Sequence, residues 1–292
     1  MVRSVIKYLF YNVLPQKTVI SYLYNKSLGR DINWKDPQDL NEKINWLKLH
    51  SDMSVWAGLA DKHLVRNYVK ERGLGGILLE EYGFWENANL IDFESLPNHF
   101  VLKTNHGCGT AIVVRDKSNF DLEKARKQLN KWLDHKYGIY QGERHYSLIK
   151  PVVVAVQLLS NDSSQSTSII DYKVWCFNGR PYCICVCTDR EIGNTLHLGF
   201  YDLNWNWLQD WTDGPHINDM VVVDKPVCLD EMLKSAAILA KGLPQVRVDF
   251  YVSGGKLYFG EMTLTSLGGY MNYIKPKYLL EMGEQIDLNY GK

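Results

Sequence analysis

The stretch "VRVDFYVSGGKLYFGEMT", residues 246–263, reads as a β-hairpin. Successive strand residues point to opposite faces of a sheet, so Val246, Val248, Phe250 and Val252 share one face while Arg247, Asp249 and Tyr251 share the other. On the returning strand Glu261 and Thr263 lie on a common face. Asp249 and Glu261 meet on one side only if the connecting loop holds an odd number of residues. A three-residue Ser-Gly-Gly loop with a left-handed glycine satisfies this, whereas a two-residue Gly-Gly turn separates the carboxylates. The expectation is the three-residue loop. Two hard carboxylates beside a guanidinium then suit Mg²⁺ together with phosphate oxygens. The competing reading is an arginine–carboxylate pair at a sheet surface.

Around this hairpin lies a chain of 292 residues that is 46% hydrophobic and 12% aromatic, enough apolar surface for a large core, which excludes a disordered polar polymer. Lysine plus arginine and aspartate plus glutamate each total 33, so no net charge points to a nucleic-acid partner. Six cysteines and no secretory leader place the protein in a reducing cytoplasm, and the run "CICVC" puts Cys183, Cys185 and Cys187 on one strand face as small core hydrophobes. No stretch approaches the ~20 apolar residues of a membrane-spanning helix. Residues 1–30 nevertheless carry Arg3, Lys7, Lys17, Lys26 and Arg30 among aromatics with no acidic residue. That pattern suits either an anionic membrane surface at its cytoplasmic face or a helix docked on the body with solvated lysines.

The predicted organisation is α+β in three parts: a helical lobe over 1–97, a small α+β lid over 98–160, and a C-terminal lobe over 161–292 built on an antiparallel sheet. "DPQDLNEKINWLKLH" and "ADKHLVRNYVKERG" read as helices of the first part. In the lid, "DLEKARKQLNKWLDHKYG" places Leu122, Ala125, Leu129, Trp132, Leu133 and Tyr137 on one helical stripe. The third part reads as a meander of strands from 169 to 210, a helix over "CLDEMLKSAAILAKG" stopped by Gly242, and the opening hairpin.

Two further segments carry chemistry. "KTNHGCGTAIVV" sets Lys103 on a strand before a turn containing Gly107 and Gly109, where backbone N–H groups can close around phosphates and the lysine can neutralise them. It lacks the GK[ST] of a P-loop, and an ordinary hairpin turn is an equal reading, with His106 hydrogen-bonded inside it. In "DYKVWCFNG", Asp171 and Lys173 alternate to one face, and an inward lysine needs an anion, whether phosphate or Asp171 itself.

The order of lysine strand, glycine loop, lid, inward lysine, then "RVDF" and "GEMT" resembles the ATP-grasp superfamily. The strings "ADKHLVRNYV", "FVLKTNHGCGTAIVVRDKS", "ERHYSLIKP", "DYKVWCFNGRP", "VRVDFY" and "FGEMTLT" are similar to its teichuronopeptide-biosynthesis (TupA-like) branch, over roughly residues 20–288. The resemblance implies an ATP- and Mg²⁺-dependent carboxylate–amine ligase in cell-surface polysaccharide biosynthesis, acting on a carboxylate-bearing sugar or glycan, a uronic acid, and on an amine or amino acid. It implies that Lys103 and Lys173 hold the nucleotide phosphates, with Asp171 beside Lys173 in the nucleotide site, under the loop Asn105, His106, Gly107, Gly109 and Thr110. Asp249, Glu261 and Thr263 would ligate Mg²⁺, with Thr263 standing where the superfamily usually has asparagine, and Arg247 would stabilise the transferring phosphate. Val156 and Gln157 replace a hinge glutamate, and Gln157 is left to meet the ribose or adenine. A sugar phosphotransferase and a nucleotide-binding, non-catalytic assembly component are the alternatives. For the acceptor, Trp205, Trp207 and Trp211 either stack on sugar or lie in the core, and Tyr270, Asn272 and Lys275 follow the metal strand.

Overall fold

The computed structural model describes residues 13–189, 197–212 and 222–291. In chain order the helices and strands are α1 (Gln16–Leu28), α2 (Leu40–His50), α3 (Met53–Ala60), α4 (Val65–Glu71), β1 (Glu81–Trp85), β2 (Phe100–Thr104), β3 (Ala111–Val114), α5 (Leu122–Leu133), β4 (Val153–Gln157), β5 (Asp171–Phe177), β6 (Arg180–Thr188), β7 (His197–Tyr201), α6 (Leu229–Ala240), β8 (Gln245–Ser253), β9 (Lys256–Thr263) and α7 (Pro276–Glu284). They form two compact units, one of residues 1–51 with 160–292 and one of residues 52–159. The divisions fall at 51/52 and 159/160. α2 is far in sequence from the C-terminal sheet but packs into its core through Leu40 and Ile44, and α1 packs on α2. The expected helical segment also supplies a strand, β1, whose short "EYGFW" has no alternation to betray it.

In the unit of residues 52–159 a four-stranded antiparallel sheet runs in the order β1-β4-β2-β3. One face, with Phe100, Leu102, Val114, Val153 and Ala155, packs with Leu129 of α5. Asp121 caps α5 by accepting from the Lys124 amide, and Leu122, Trp132 and Leu133 lie against the same core. The helix stops at Leu133, so Tyr137 leaves the expected stripe and its ring lies 3.0 Å from where a Cβ on Gly107 would stand.

In the other unit five antiparallel strands run β7-β6-β5-β8-β9. Register sets the two faces: Lys173 lies opposite Asp249 and Cys185, and Trp175 opposite Arg247 and Cys183. α6 covers the reverse face, its Met232, Ala236 and Leu239 fully buried. The charged face continues into a core of Trp175, Phe177, the three thiols, Phe200 and Trp211 with Leu40 and Ile44 of α2 and Leu279 and Met282 of α7. Cys183, Cys185 and Cys187 are buried free thiols, as the "CICVC" alternation predicts. α2 is capped by Asp39, which accepts from the Glu42 amide at 2.9 Å, and Glu42 accepts from the amide of Gln38, the residue before the cap, at 2.8 Å. α1 buries Val19, Ile20 and Tyr24, the docked-helix reading of that part of the basic leader, while Arg3 and Lys7 lie outside the described residues.

Candidate active site

The decisive hairpin corrects the expected turn. Ser253 pairs with Lys256, leaving a two-residue loop of Gly254 and Gly255, both at positive φ (57° and 70°). Both central residues in the left-handed region make this the tight turn that matches strand twist, and glycine pays no steric penalty there. By parity alone that turn would separate the carboxylates. A β-bulge reverses the outcome: Phe250 pairs with Phe259, but Asp249 pairs with Glu261, so Gly260 is the extra residue. A Cβ on Gly260 would stand 2.9 Å from the Asp249 carbonyl oxygen, which is why the close approach takes glycine. The signal was available in the sequence, since a lone glycine inside a strand pattern marks a bulge.

The bulge aligns Arg247 with Thr263 and Asp249 with Glu261, and a continuous charged cluster follows. Arg247 grips Asp249 with two bonds, Nε to Oδ1 and Nη2 to Oδ2, both 2.7 Å. Its Nη2 also donates to Thr263 Oγ1 at 3.1 Å and lies 4.0 Å from Glu261 Oε1. The Lys173 ammonium sits between two acids, 2.7 Å from Asp171 and 2.6 Å from Asp249. Asp171 and Asp249 side chains are 3% and 2% exposed, Lys173 and Arg247 10% and 13%, and Glu261 32%. Burial works against the charged form of Lys173, but Asp171 and Asp249 outweigh it and raise its pKa above the ordinary lysine range. Arg247 behaves alike, burial opposing and Asp249 prevailing.

Three carboxylates against two cations leave the cluster with a surplus of one negative charge. Among the described residues no three or more His, Cys, Asp and Glu side chains converge to enclose a metal by themselves. The donor set fits Mg²⁺ held in its usual way, by one or two carboxylates with substrate phosphates and water supplying the rest. Glu261 is the part-exposed member, and Thr263 Oγ1 stands 3.5 Å from its Oε1.

Two residues that the sequence did not single out join the cluster. Ser266, 1% exposed, accepts from Arg247 Nη1 at 3.2 Å. Tyr273 has its pKa raised, first by burial and then by Cys185, with Arg247 and Lys173 opposing. Neither carries a motif, because each reaches the cluster through a loop whose path only folding defines. Of the acceptor candidates, Trp211 is core at 8% exposure, stacked 4.9 Å from Tyr278. Trp205 stacks on Tyr201 at 4.3 Å, Trp207 is 37% exposed, Lys275 pairs with Asp210, Asn272 is exposed, and Tyr270 packs edge-on to Tyr24.

In the other unit, Lys103 shares a sheet face with Val154 and Ala111, directly opposite it on β4 and β3. The turn after it is tied down rather than open. Asn105, 1% exposed, donates to Asp61 at 2.9 Å and to the Lys150 carbonyl at 3.0 Å, and accepts from the Val152 amide at 2.8 Å. Its side chain is therefore committed to the scaffold and not turned to a ligand. His106 reaches the His135 carbonyl at 3.1 Å, outside its own turn, and burial lowers its pKa. Lys62 Nζ donates to the Gly107 carbonyl at 2.5 Å, Gly109 is left-handed at φ 69°, and Thr104 and Thr110 hydroxyls meet at 2.7 Å across the turn's base. Gln157 pairs with Phe100, so it lies on the α5 face while Lys103 and Val156 lie on the opposite one.

Fold and charged hairpin together define an ATP-grasp protein, a class of ATP-dependent ligases that form carbon–nitrogen bonds with ATP and Mg²⁺. The chain belongs to the TupA-like ATP-grasp family, whose model matches residues 42–287. Among solved structures, D-alanine–D-alanine ligase from Bacillus anthracis is 17% identical with a TM-score of 0.50, over 82% of this chain and 73% of that one. D-Alanine–D-alanine ligase from Helicobacter pylori is 17% identical with a TM-score of 0.42, over 78% and 61%. N5-carboxyaminoimidazole synthase from Aspergillus clavatus is 10% identical with a TM-score of 0.43, over 75% and 46%. The first of these likenesses is of fold alone. No curated protein matches the chain. Among the described residues no helix is long and apolar enough to cross a membrane.

Proposed function

We propose that the protein joins the carboxylate of a uronic acid, on a sugar or glycan of a cell-surface polysaccharide, to an amine or amino acid at the expense of ATP. The observation that carries this reading is the convergence of Arg247, Lys173, Asp171, Asp249 and Glu261 on one sheet face, bidentate arginine included. The acceptor carboxylate attacks the γ-phosphorus of ATP to give an acyl phosphate and ADP. The amine then attacks the acyl carbon, and phosphate departs with its bonding pair to leave an amide. When bound at Asp249 and Glu261, with Thr263 beside them, Mg²⁺ supplies Lewis-acid neutralisation of phosphate charge.

The chain's own groups do the rest by position and charge. Arg247 is fixed by Asp249 and Ser266, so its remaining guanidinium edge faces developing negative charge without reorganising, a contribution of several kcal/mol in such sites. Lys173, held by two acids, keeps its proton and acts as a cation toward phosphate, not as a base. Lys103 and the turn Asn105–Thr110 bind phosphates in this reading, chiefly through the lysine and the backbone of Gly107 and Gly109, since the Asn105 side chain is engaged elsewhere. Little proton chemistry is asked of the protein, in keeping with a site of fixed charges.

ADP release from MgATP with a uronic acid, measured with and without amino acids, tests the proposal. Amine-dependent turnover with an amide product by mass spectrometry supports it. A phosphosugar identifies a phosphotransferase. Stabilisation by MgATP with no turnover on any acceptor would leave a nucleotide-binding assembly component.

A further inference from the structure

Lys48 is a buried cation of α2, 1% exposed, and the charged hairpin makes no direct use of it. Its ammonium donates to Asn45 Oδ1 at 2.9 Å and to the Gly268 carbonyl, lies 3.4 Å from the Tyr270 hydroxyl, and stands over the Tyr270 ring 4.5 Å from its centroid. Burying an ammonium is costly where an apolar side chain would fill the same space, and a retained buried cation is best understood by what it holds in place.

What it holds is an unusual turn. Leu267, Gly268 and Gly269 are all left-handed, at φ 44°, 65° and 74°, a few residues after β9 ends at Thr263. Leucine rarely adopts that region, and here its side chain is 59% exposed, so no packing of its own rewards the strain. The restraint comes instead from one face of α2. Asn41, Asn45 and Lys48, at helical spacing, donate in turn to the carbonyls of Met271 (2.8 Å), Gly269 (2.7 Å) and Gly268. Asn41 also accepts from the Met271 amide at 2.9 Å. The fit is close: a Cβ on Gly269 would stand 2.7 Å from Asn45 Nδ2. At the start of the same turn, buried Ser266 accepts from Arg247.

We infer that Asn45 and Lys48 are positioning residues for the reaction proposed above: through the left-handed turn Leu267–Gly269 they fix Ser266, and through Ser266 the orientation of the Arg247 guanidinium. This rests on the ligase reading only for its catalytic consequence, since the mechanical link is a property of the folded chain. The helix motif "NEKINWLKLH" and the strand motif "RVDF" would then be one device, joined across about 200 residues of sequence.

The test compares wild type with Lys48→Met, Lys48→Arg and, should Lys48→Met not fold, Asn45→Ala. Amide hydrogen exchange and the Arg247 Nε–H resonance, assigned by its loss in Arg247→Lys, are read without any ligand. Steady-state ADP release from MgATP with glucuronic acid and glycine is read separately. Expected in Lys48→Met are at least tenfold faster exchange at Gly268 to Tyr270 with β8 and β9 unchanged, and a shifted or broadened Arg247 resonance. Turnover falls at least tenfold with KM for MgATP within twofold, and Lys48→Arg recovers a substantial part. Unchanged turn exchange together with an unchanged Arg247 resonance would overturn the inference whatever the enzyme does with ATP. A loss of kcat matched by an equal rise in KM for MgATP would also overturn it, as general disruption. Absence of ADP release in wild type would refute the ligase reading while leaving the exchange and resonance results to decide the link.

Discussion

Lys173→Met is the perturbation that most directly probes the cluster. The ammonium lies 2.7 Å from Asp171 and 2.6 Å from Asp249, and none of the three side chains is more than 10% exposed. At an effective dielectric constant of about 20, each contact is worth on the order of 6 kcal/mol of gross attraction. Most of that only offsets the cost of withdrawing the charges from water. The substitution removes both attractions, leaves Asp171 and Asp249 facing one another, and raises the surplus negative charge from one to two. Breaking a buried pair from one side costs about 3–5 kcal/mol, which in a chain of this size lowers Tm by on the order of 10 °C. Urea denaturation at neutral pH measures the loss, and because the pair is buried, added salt should change it little. Adding Asp171→Asn to Lys173→Met removes the extra charge and should restore roughly a third to a half of the loss, a non-additivity expected of groups in contact. A loss under about 1 kcal/mol, the size of an exposed pair, would refute the reasoning. So would strict additivity of the two substitutions.

Other outcomes follow from the same geometry. Gly260→Val puts a side chain 2.9 Å from the Asp249 carbonyl oxygen and 3.0 Å from the Tyr251 ring; a loss of roughly 2–3 kcal/mol by thermal unfolding is expected, together with loss of stabilisation by MgATP because the bulge that aligns the carboxylates is disturbed. Arg247→Lys keeps the charge but not the two-pronged grip on Asp249, and turnover should fall about 10²–10³-fold, with stability better preserved than in Arg247→Met. Burial holds the His106 pKa below its ordinary value, so the unfolded chain takes up a proton first as pH falls. Its contribution to stability is full above the ordinary imidazole value of about 6.5 and is lost as pH falls through the depressed folded value. His106→Gln should flatten the dependence of the urea midpoint between neutral pH and pH 5, and an unchanged slope would show the imidazole to be solvated.

Periodicity alone made much of this molecule legible. Alternation in β8 put Arg247 and Asp249 on one face, and alternation in β5 did the same for Asp171 and Lys173, because strand side chains alternate regardless of context. The helical stripe of α5 and the buried thiol face of β6 followed from the same local rules. The order of the motifs along the chain carries the resemblance to the family. What a local rule could not supply was parity across a turn. The expected three-residue loop was a two-residue one, and the carboxylates met because Gly260 absorbs one residue where the Asp249 carbonyl comes close. The face that Gln157 occupies is likewise set by pairing with Phe100, some 57 residues away, and not by its neighbours.

The sequence by itself therefore determined which residues carry charge, which of them share a face within a single strand, and which superfamily of reactions such a set serves. Tertiary structure alone decided which cation meets which acid, and placed α2, from the opposite end of the chain, against the turn that follows the charged hairpin. The physical reason is that side-chain direction depends on a residue's immediate backbone, whereas contact depends on register, bulges and loop paths summed over the whole fold.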